Sequence, residues 1–170
     1  MKNLMIIIGL SFLISSCEIY EAPTPQTTIV QAPQGNVNVK TWYFRVPQNG
    51  WTISGLPGDN NHSLFTVLSI PNLDAGYVNE GLVLVYLDYG NATFSPLPIT
   101  VASGSTDTWL NNYVSLGQVE VNIQLANLQT PIITGNYYFK VVAVDGFSRK
   151  MNPDLNWNNY KDVAARFSLD

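Results

Sequence analysis

The octet Gln118-Val119-Glu120-Val121-Asn122-Ile123-Gln124-Leu125 alternates without exception between polar and aliphatic side chains. Successive side chains of a β-strand point to opposite faces, so this octet has one apolar face and one polar face. It is satisfied as a half-buried strand of an antiparallel sheet, whereas a helix would scatter its four aliphatic residues around the axis. Two other runs, Gly81–Leu87 (GLVLVYL) and Tyr137–Val144 (YYFKVVAV), are apolar on both faces over most of their length. These are expected to be central strands, covered on both sides.

The same period-two reading places strands at Val37–Val46, Trp51–Ser54, Ser63–Ile70, Leu97–Ala102 and Trp109–Leu116, separated by Gly, Pro and Asn clusters. Leu116-Gly117 makes a tight turn into the alternating octet. About seven or eight short strands at this spacing predict an all-β fold, an antiparallel β-sandwich. Two stretches depart from the pattern. Pro71–Val78 has the makings of a single helical turn, closed by Asn79–Gly81. Near the C-terminus Tyr160, Val163, Ala164 and Phe167 recur at helical spacing, which predicts a short amphipathic helix packed on the end of the sandwich.

The N-terminus carries a different message. Lys2 is followed by an apolar run from Leu4 to Ile14, interrupted only by Gly9 and Ser11, the form of a secretory signal peptide. Eleven residues of helix span roughly half of a ~30 Å hydrocarbon layer, too little for a permanent membrane span. Next comes Ile14-Ser15-Ser16-Cys17, an aliphatic residue and two small ones before the only cysteine of the chain. This tetrad resembles the lipobox of bacterial lipoprotein precursors. The resemblance implies cleavage between Ser16 and Cys17, diacylglyceryl transfer to the Cys17 sulfur and palmitate-type acylation of the new amine. Two or three acyl chains make an anchor stable where one is marginal.

Residues 1–16 are thus expected to be a signal peptide, 17–36 the lipidated cysteine and an extended tether, and 37–170 the β-sandwich domain. The tether assignment rests on three prolines and on the absence of an alternating run. Residues 17–170 number 154, enough for one core. No repeat of 20 to 50 residues marks a solenoid or propeller.

The order of segments also resembles a group of small uncharacterised lipoproteins of Bacteroidota, some of them sited after a collagen-like tract. The matching features are Asn36-Val37-Asn38-Val39, the Gly81–Tyr86 strand, Pro96-Leu97-Pro98-Ile99 and Tyr138–Val142, within residues 36 to 167. That resemblance implies a cell-envelope, outer-membrane location and transfers no catalytic residue. Ala32-Pro33-Gln34-Gly35 looks like one Gly-X-Y triplet, but without glycine at every third position there is no triple helix.

Removing Lys2 takes the formal charge from −4 to −5, a sign that argues against nucleic acid as a partner. Nucleophilic catalysis of the Ser-His kind needs an imidazole, and the single histidine, His62, lies with Asp59 and Ser63 in what reads as a solvated loop. With one His and a lipidated Cys no zinc site and no cofactor is expected. Asp74, Glu80, Asp88, Asp107 and Asp145 fall near strand ends, where acidic residues ordinarily shape turns, although a pair at ~5–10 Å is what glycoside hydrolysis requires. Oxygen ligands for calcium occur at Asp59-Asn60-Asn61 and at Asp154, Asn156 and Asn158, without the glycine and terminal glutamate of an EF-hand loop.

Aromatic residues are the remaining resource: four tryptophans and nine tyrosines. Trp42 and Tyr43 face opposite ways on one strand, so one of them is expected inside. Trp109, beside Asp107, Asn111 and Asn112, is the tryptophan expected at the surface and the candidate ligand-binding site. Together these features point to a membrane-anchored, non-enzymatic envelope lipoprotein whose sandwich is a structural or interaction domain, with an envelope protein or a glycan as partner. The alternative is a surface carbohydrate-binding module. The first expects buried aromatics and an even polar surface; the second expects at least two exposed aromatics around a groove rimmed with amides.

Overall fold

The structure, a computed structural model, describes residues 28–34, 38–103 and 105–169. Lys2, the apolar run, Ser16, Cys17 and the first part of the tether lie outside the described residues. Among the described residues ten strands form two five-stranded antiparallel sheets. The first sheet contains β1 (Thr28–Gln34), β2 (Val39–Val46), β5 (Leu82–Asp88), β6 (Phe94–Pro96) and β10 (Tyr137–Val144), in the order β1-β2-β10-β5-β6. The second contains β3 (Thr52–Ser54), β4 (Ser63–Ser69), β7 (Ile99–Ser103), β8 (Thr106–Ser115) and β9 (Gln118–Leu125), in the order β3-β4-β9-β8-β7. The all-β sandwich expected from the period-two pattern is the observed fold, with ten strands where seven or eight are predicted.

The two unforeseen strands are both sheet edges. β6 is three residues long and continues past a cis Leu97–Pro98 bond into β7 of the opposite sheet. β1 lies in the stretch that the prolines assign to the tether, yet it pairs with β2, with register shifts between Ile29 and Gln31 and between Gln31 and Gln34. An edge strand bonds to one neighbour only, so it needs no apolar alternation and tolerates Pro33, which has no N–H to donate. Among the described residues, Thr28–Gln34 of the stretch expected as tether is thus part of the first sheet.

Between the sheets sits the main core. Trp42, Phe44, Phe139 and Val141 of the first sheet meet Leu64, Val119, Val121 and Ile123 of the second. The alternating octet is β9, the middle strand of its sheet, with Val119, Val121 and Ile123 buried and the polar partners on the other side. Its turn into β8 is pinned. Gly117, at φ +77°, donates to the Leu73 carbonyl (2.9 Å), and its own carbonyl accepts from Ile70 (2.7 Å). The expected helical turn before β5 starts later than predicted, as a π-helical turn at Gly76–Glu80 whose Tyr77 is buried in the core.

β10 is the middle strand of the first sheet, and its outward residues Val142 and Val144 are as buried as its inward ones. What covers them is the C-terminal segment. Helix α1 (Gly146–Lys150) is capped by Asp145, which accepts from Ser148 N–H at 2.7 Å, and α2 (Tyr160–Phe167) is capped by Asn159. Val163 of α2 joins Val39, Tyr86, Val142 and Val144 in a second apolar cluster, with Tyr160, Ala164 and Phe167 packed around it. The predicted stripe is therefore the buried one, but the helix lies against the outer face of the first sheet and not on the sandwich end. β10 and β5 present apolar residues on that face, and burying them requires a lid of this kind.

Candidate functional site

No second lid exists among the described residues over the outer face of the second sheet. Its side chains are set by the pleat: Asp107, Trp109, Asn111 and Tyr113 of β8 point outward, as do Glu120, Asn122 and Gln124 of β9. The register brings them into rows, with Trp109 opposite Gln124, Asn111 opposite Asn122, and Tyr113 opposite Glu120. Phe65 of β4 continues the Asn122 row. Across the Asn111 and Tyr113 rows, with Trp109 on the same face but beyond its lining, runs a concavity of about 480 Å³ whose residues include Phe65 and Asn122, Tyr113 and Asn111, and Asn60 and Asn61.

The loop Gly55–His62 supplies that second wall. Gln124 Nε2 donates to the Asn60 carbonyl at 2.7 Å, which ties the loop to the sheet. Gly58 N–H donates to the Leu128 carbonyl at 2.9 Å, tying it to the next loop. His62 closes the arrangement from beneath, only 1% exposed. Its Nδ1 lies 3.2 Å from the Ser54 carbonyl and its Nε2 2.8 Å from Thr130 Oγ1. Because a carbonyl can only accept, Nδ1 carries a proton and donates to Ser54, while Nε2 is hydrogen-bonded to the Thr130 hydroxyl. The solvated loop expected around His62 is therefore wrong for the histidine itself, since its ring is committed to holding the groove wall.

Of the four residues that the sequence singles out, three share this outer face. Trp109 is 37% exposed, the most exposed tryptophan. Asn111 lines the groove, and Asp107 lines a second concavity of about 410 Å³ with Thr106 and Asn127. Asn112 belongs to the other face. It pairs with the buried Val121 and sits between Leu110 and Val114, both packed on the core. Adjacent residues of a strand cannot share a face, and strand periodicity by itself separates Asn112 from its neighbours. Tyr113, 62% exposed, is absent from the sequence-based candidates although it continues the alternation of Trp109 and Asn111. Asn122, Gln124 and Phe65 escape sequence reasoning for a different reason, because strand order and register bring them there.

Tyr89, Tyr138 and Phe147 are also exposed, on elements outside the second sheet, whereas the other tryptophans are packed. Trp42 is buried and Tyr43 takes the opposite face. Trp51 sits edge-on to Tyr137 at 5.4 Å, and Trp157 stacks on Phe167 at 6.0 Å. The carboxylates near strand ends are largely spent on local geometry: Asp74 accepts from Gly76 N–H, Asp88 from Gly90 N–H, and Asp145 caps α1. Within the groove, Glu120 Oε1 accepts from Asn122 Nδ2 at 3.0 Å. Among the described residues no three His, Cys, Asp or Glu side chains are grouped to hold a metal ion, and no helix is long and apolar enough to cross a membrane.

A scan against protein-family models finds no match, and neither curated proteins nor solved structures provide one.

Proposed function

We propose that the chain is a non-enzymatic envelope lipoprotein, held by acyl chains on Cys17, whose sandwich binds glycans on the outer face of its second sheet. The observation that carries the binding reading is the alternation of exposed aromatic rings with amides along β8 and β9. Trp109 and Tyr113 stand roughly 13 Å apart on one face of an extended strand. Between and beside them lie Asn111, Asn122 and Gln124. Pyranose rings present C–H faces that lie against aromatic rings, and hydroxyls that exchange donor and acceptor roles with amides. A lining of this polarity fits a polyhydroxylated ligand better than a lipid, for which ligand sites are predominantly apolar. The groove wall is also tied in place before any ligand arrives, which lowers the ordering cost of binding.

Two measurements test the two halves of the reading. For the anchor, Cys17→Ala is expected to abolish fatty-acid labelling and detergent-phase partitioning; a variant that still labels and fractionates with membranes sinks the lipid assignment. For the groove, intrinsic tryptophan fluorescence is titrated with a panel of envelope and host glycans. Trp109→Ala and Tyr113→Ala should each weaken the responding glycan by about threefold to tenfold, the worth of a single aromatic contact. Silence across the whole panel would remove the glycan reading.

A further inference from the structure

The distribution of cations narrows the class of glycan, and the narrowing rests on the glycan reading proposed for the groove. Between Arg45 and Lys140 the sequence has no Lys or Arg at all. Every strand of the second sheet, from Thr52 to Leu125, is drawn from that stretch, as is the Gly55–His62 wall. The outer face of this sheet therefore carries no basic side chain. What charge it does carry is negative: Glu120 lines the groove and Asp107 stands two positions from Trp109. Asp59 directly precedes the wall residue Asn60. The cations of the folded part belong to the first sheet and to α1 and α2. Lys40 and Lys140 are examples, directed onto Tyr77 and into a ring of aromatics respectively. Stacked sheets lie about 10 Å apart, so none of those cations is within pairing distance of a ligand in the groove, and solvent salt weakens their reach further.

From this we infer that the groove selects sugars without negative charge, neutral or amino-bearing, and rejects uronate, sulfate and phosphate-bearing glycans. An anionic ring seated on Tyr113 would meet the Glu120 carboxylate with no arginine or lysine to pair it. Glu120 is also placed to accept from an ammonium, which makes an amino sugar the favoured extreme.

The test uses the mature chain and three matched hexasaccharide series: a neutral glucan, its C6-oxidised glucuronan counterpart and the corresponding glucosamine oligomer. A neutral galactan with oligogalacturonate is the second pair. Binding is read by tryptophan fluorescence at low and high salt. The expected result is at least tenfold weaker binding of each uronan than of its neutral counterpart, with the gap shrinking at high salt. The glucosamine oligomer should bind no more weakly than the glucan. Glu120→Gln keeps the shape of the side chain and its contact with Asn122, and should narrow the ratio of neutral to uronan affinity severalfold. A uronan that binds as tightly as its neutral counterpart overturns this selectivity while leaving the glycan reading standing. A gap that neither salt nor Glu120→Gln changes shows that it is not electrostatic and overturns the inference too. Absence of binding by every member overturns both.

Discussion

Lys140 is the side chain that least resembles its surroundings. It sits in the middle of the central strand of the first sheet, fully buried, between Tyr43 on β2 and Tyr86 on β5. Its Nζ lies 4.8 Å from the centre of the Tyr43 ring, 5.4 Å from Phe94 and 4.6 Å from Tyr160, and donates to the Tyr160 hydroxyl. The aromatic faces carry partial negative charge, which offsets part of the cost of removing an ammonium from water. In YYFKVVAV the lysine is the one charged residue inside an otherwise apolar strand, and nothing local says that it will be covered. The rings that cover it come from positions 43, 94 and 160, which only the sheet order and α2 bring together. A buried cation of this kind is replaceable by an apolar chain of similar length more cheaply than by a void. Lys140→Met is therefore expected to change stability by less than about 1 kcal/mol, whereas Lys140→Ala should cost about 3 kcal/mol. Denaturant midpoints of the two variants check the order, and a methionine variant as damaged as the alanine one would make the charge itself essential.

Helix α2 shows the same division at the level of an element. Its stripe of Tyr160, Val163, Ala164 and Phe167 is legible from spacing alone, and so is the need of β10 for cover on both faces. That one serves the other is a long-range fact: Val163 meets Val142 and Val144 only because the chain returns across the first sheet after α1. Val163 is fully buried, so truncating it to alanine leaves a hole of two methyl groups in the cluster and should lower stability by about 2 kcal/mol. The stacked Trp157 on Phe167 reports the docking, so the fluorescence of Trp157 should shift in the variant. A change in stability below about 0.5 kcal/mol would mean that α2 is not an integral part of the fold. Edge strands β1 and β6 are illegible in the sequence for the opposite reason. Their pairing is by backbone hydrogen bonds on one side, which leave little imprint on side-chain type.

At the scale of the molecule, burial of tyrosines couples the fold to alkaline pH. The Tyr86 hydroxyl donates to the Trp157 carbonyl at 3.2 Å, and burial first, then the neighbouring Tyr160, raises its pKa far above 10. Tyr43 and Tyr137 are raised as well, by burial and then by Asp88 and Tyr89 respectively. A tyrosine held neutral in the folded state and free to ionise in the unfolded one contributes stability that is fully present below pH ~10 and is lost as pH rises beyond it. For Tyr86 the slope above that point approaches about 1.4 kcal/mol per pH unit, and the more exposed Tyr43 and Tyr137 add to it in the same direction. We expect unfolding free energy to be level from pH 7 to 9.5 and to fall above 10. Tyr86→Phe should cost about 1 kcal/mol at pH 7 through the lost hydrogen bond, and should fall less steeply above pH 10. Parallel curves for the two proteins would show that Tyr86 does not titrate with unfolding.

Apart from the edge strands β1 and β6, strand location, the buried face of each strand and the helical stripe at the C-terminus are determined by the sequence by itself, because side-chain direction repeats every two or every 3.6 residues whatever the rest of the chain does. Those periods place Asp107, Trp109, Asn111 and Tyr113 on one face and Asn112 on the other. The octet at 118–125 likewise carries its polar face wherever it goes. Tertiary structure alone decided which polar face was left open. β10 and α2 closed the first sheet, while β8 settled beside β9 with Asn111 against Asn122 and Trp109 against Gln124. The Gly55–His62 loop, pinned through His62 to Ser54 and Thr130, then turned a polar face into a groove. Around the groove, loop closure joins residues such as His62 and Thr130, 68 positions apart, and no local period encodes such pairings.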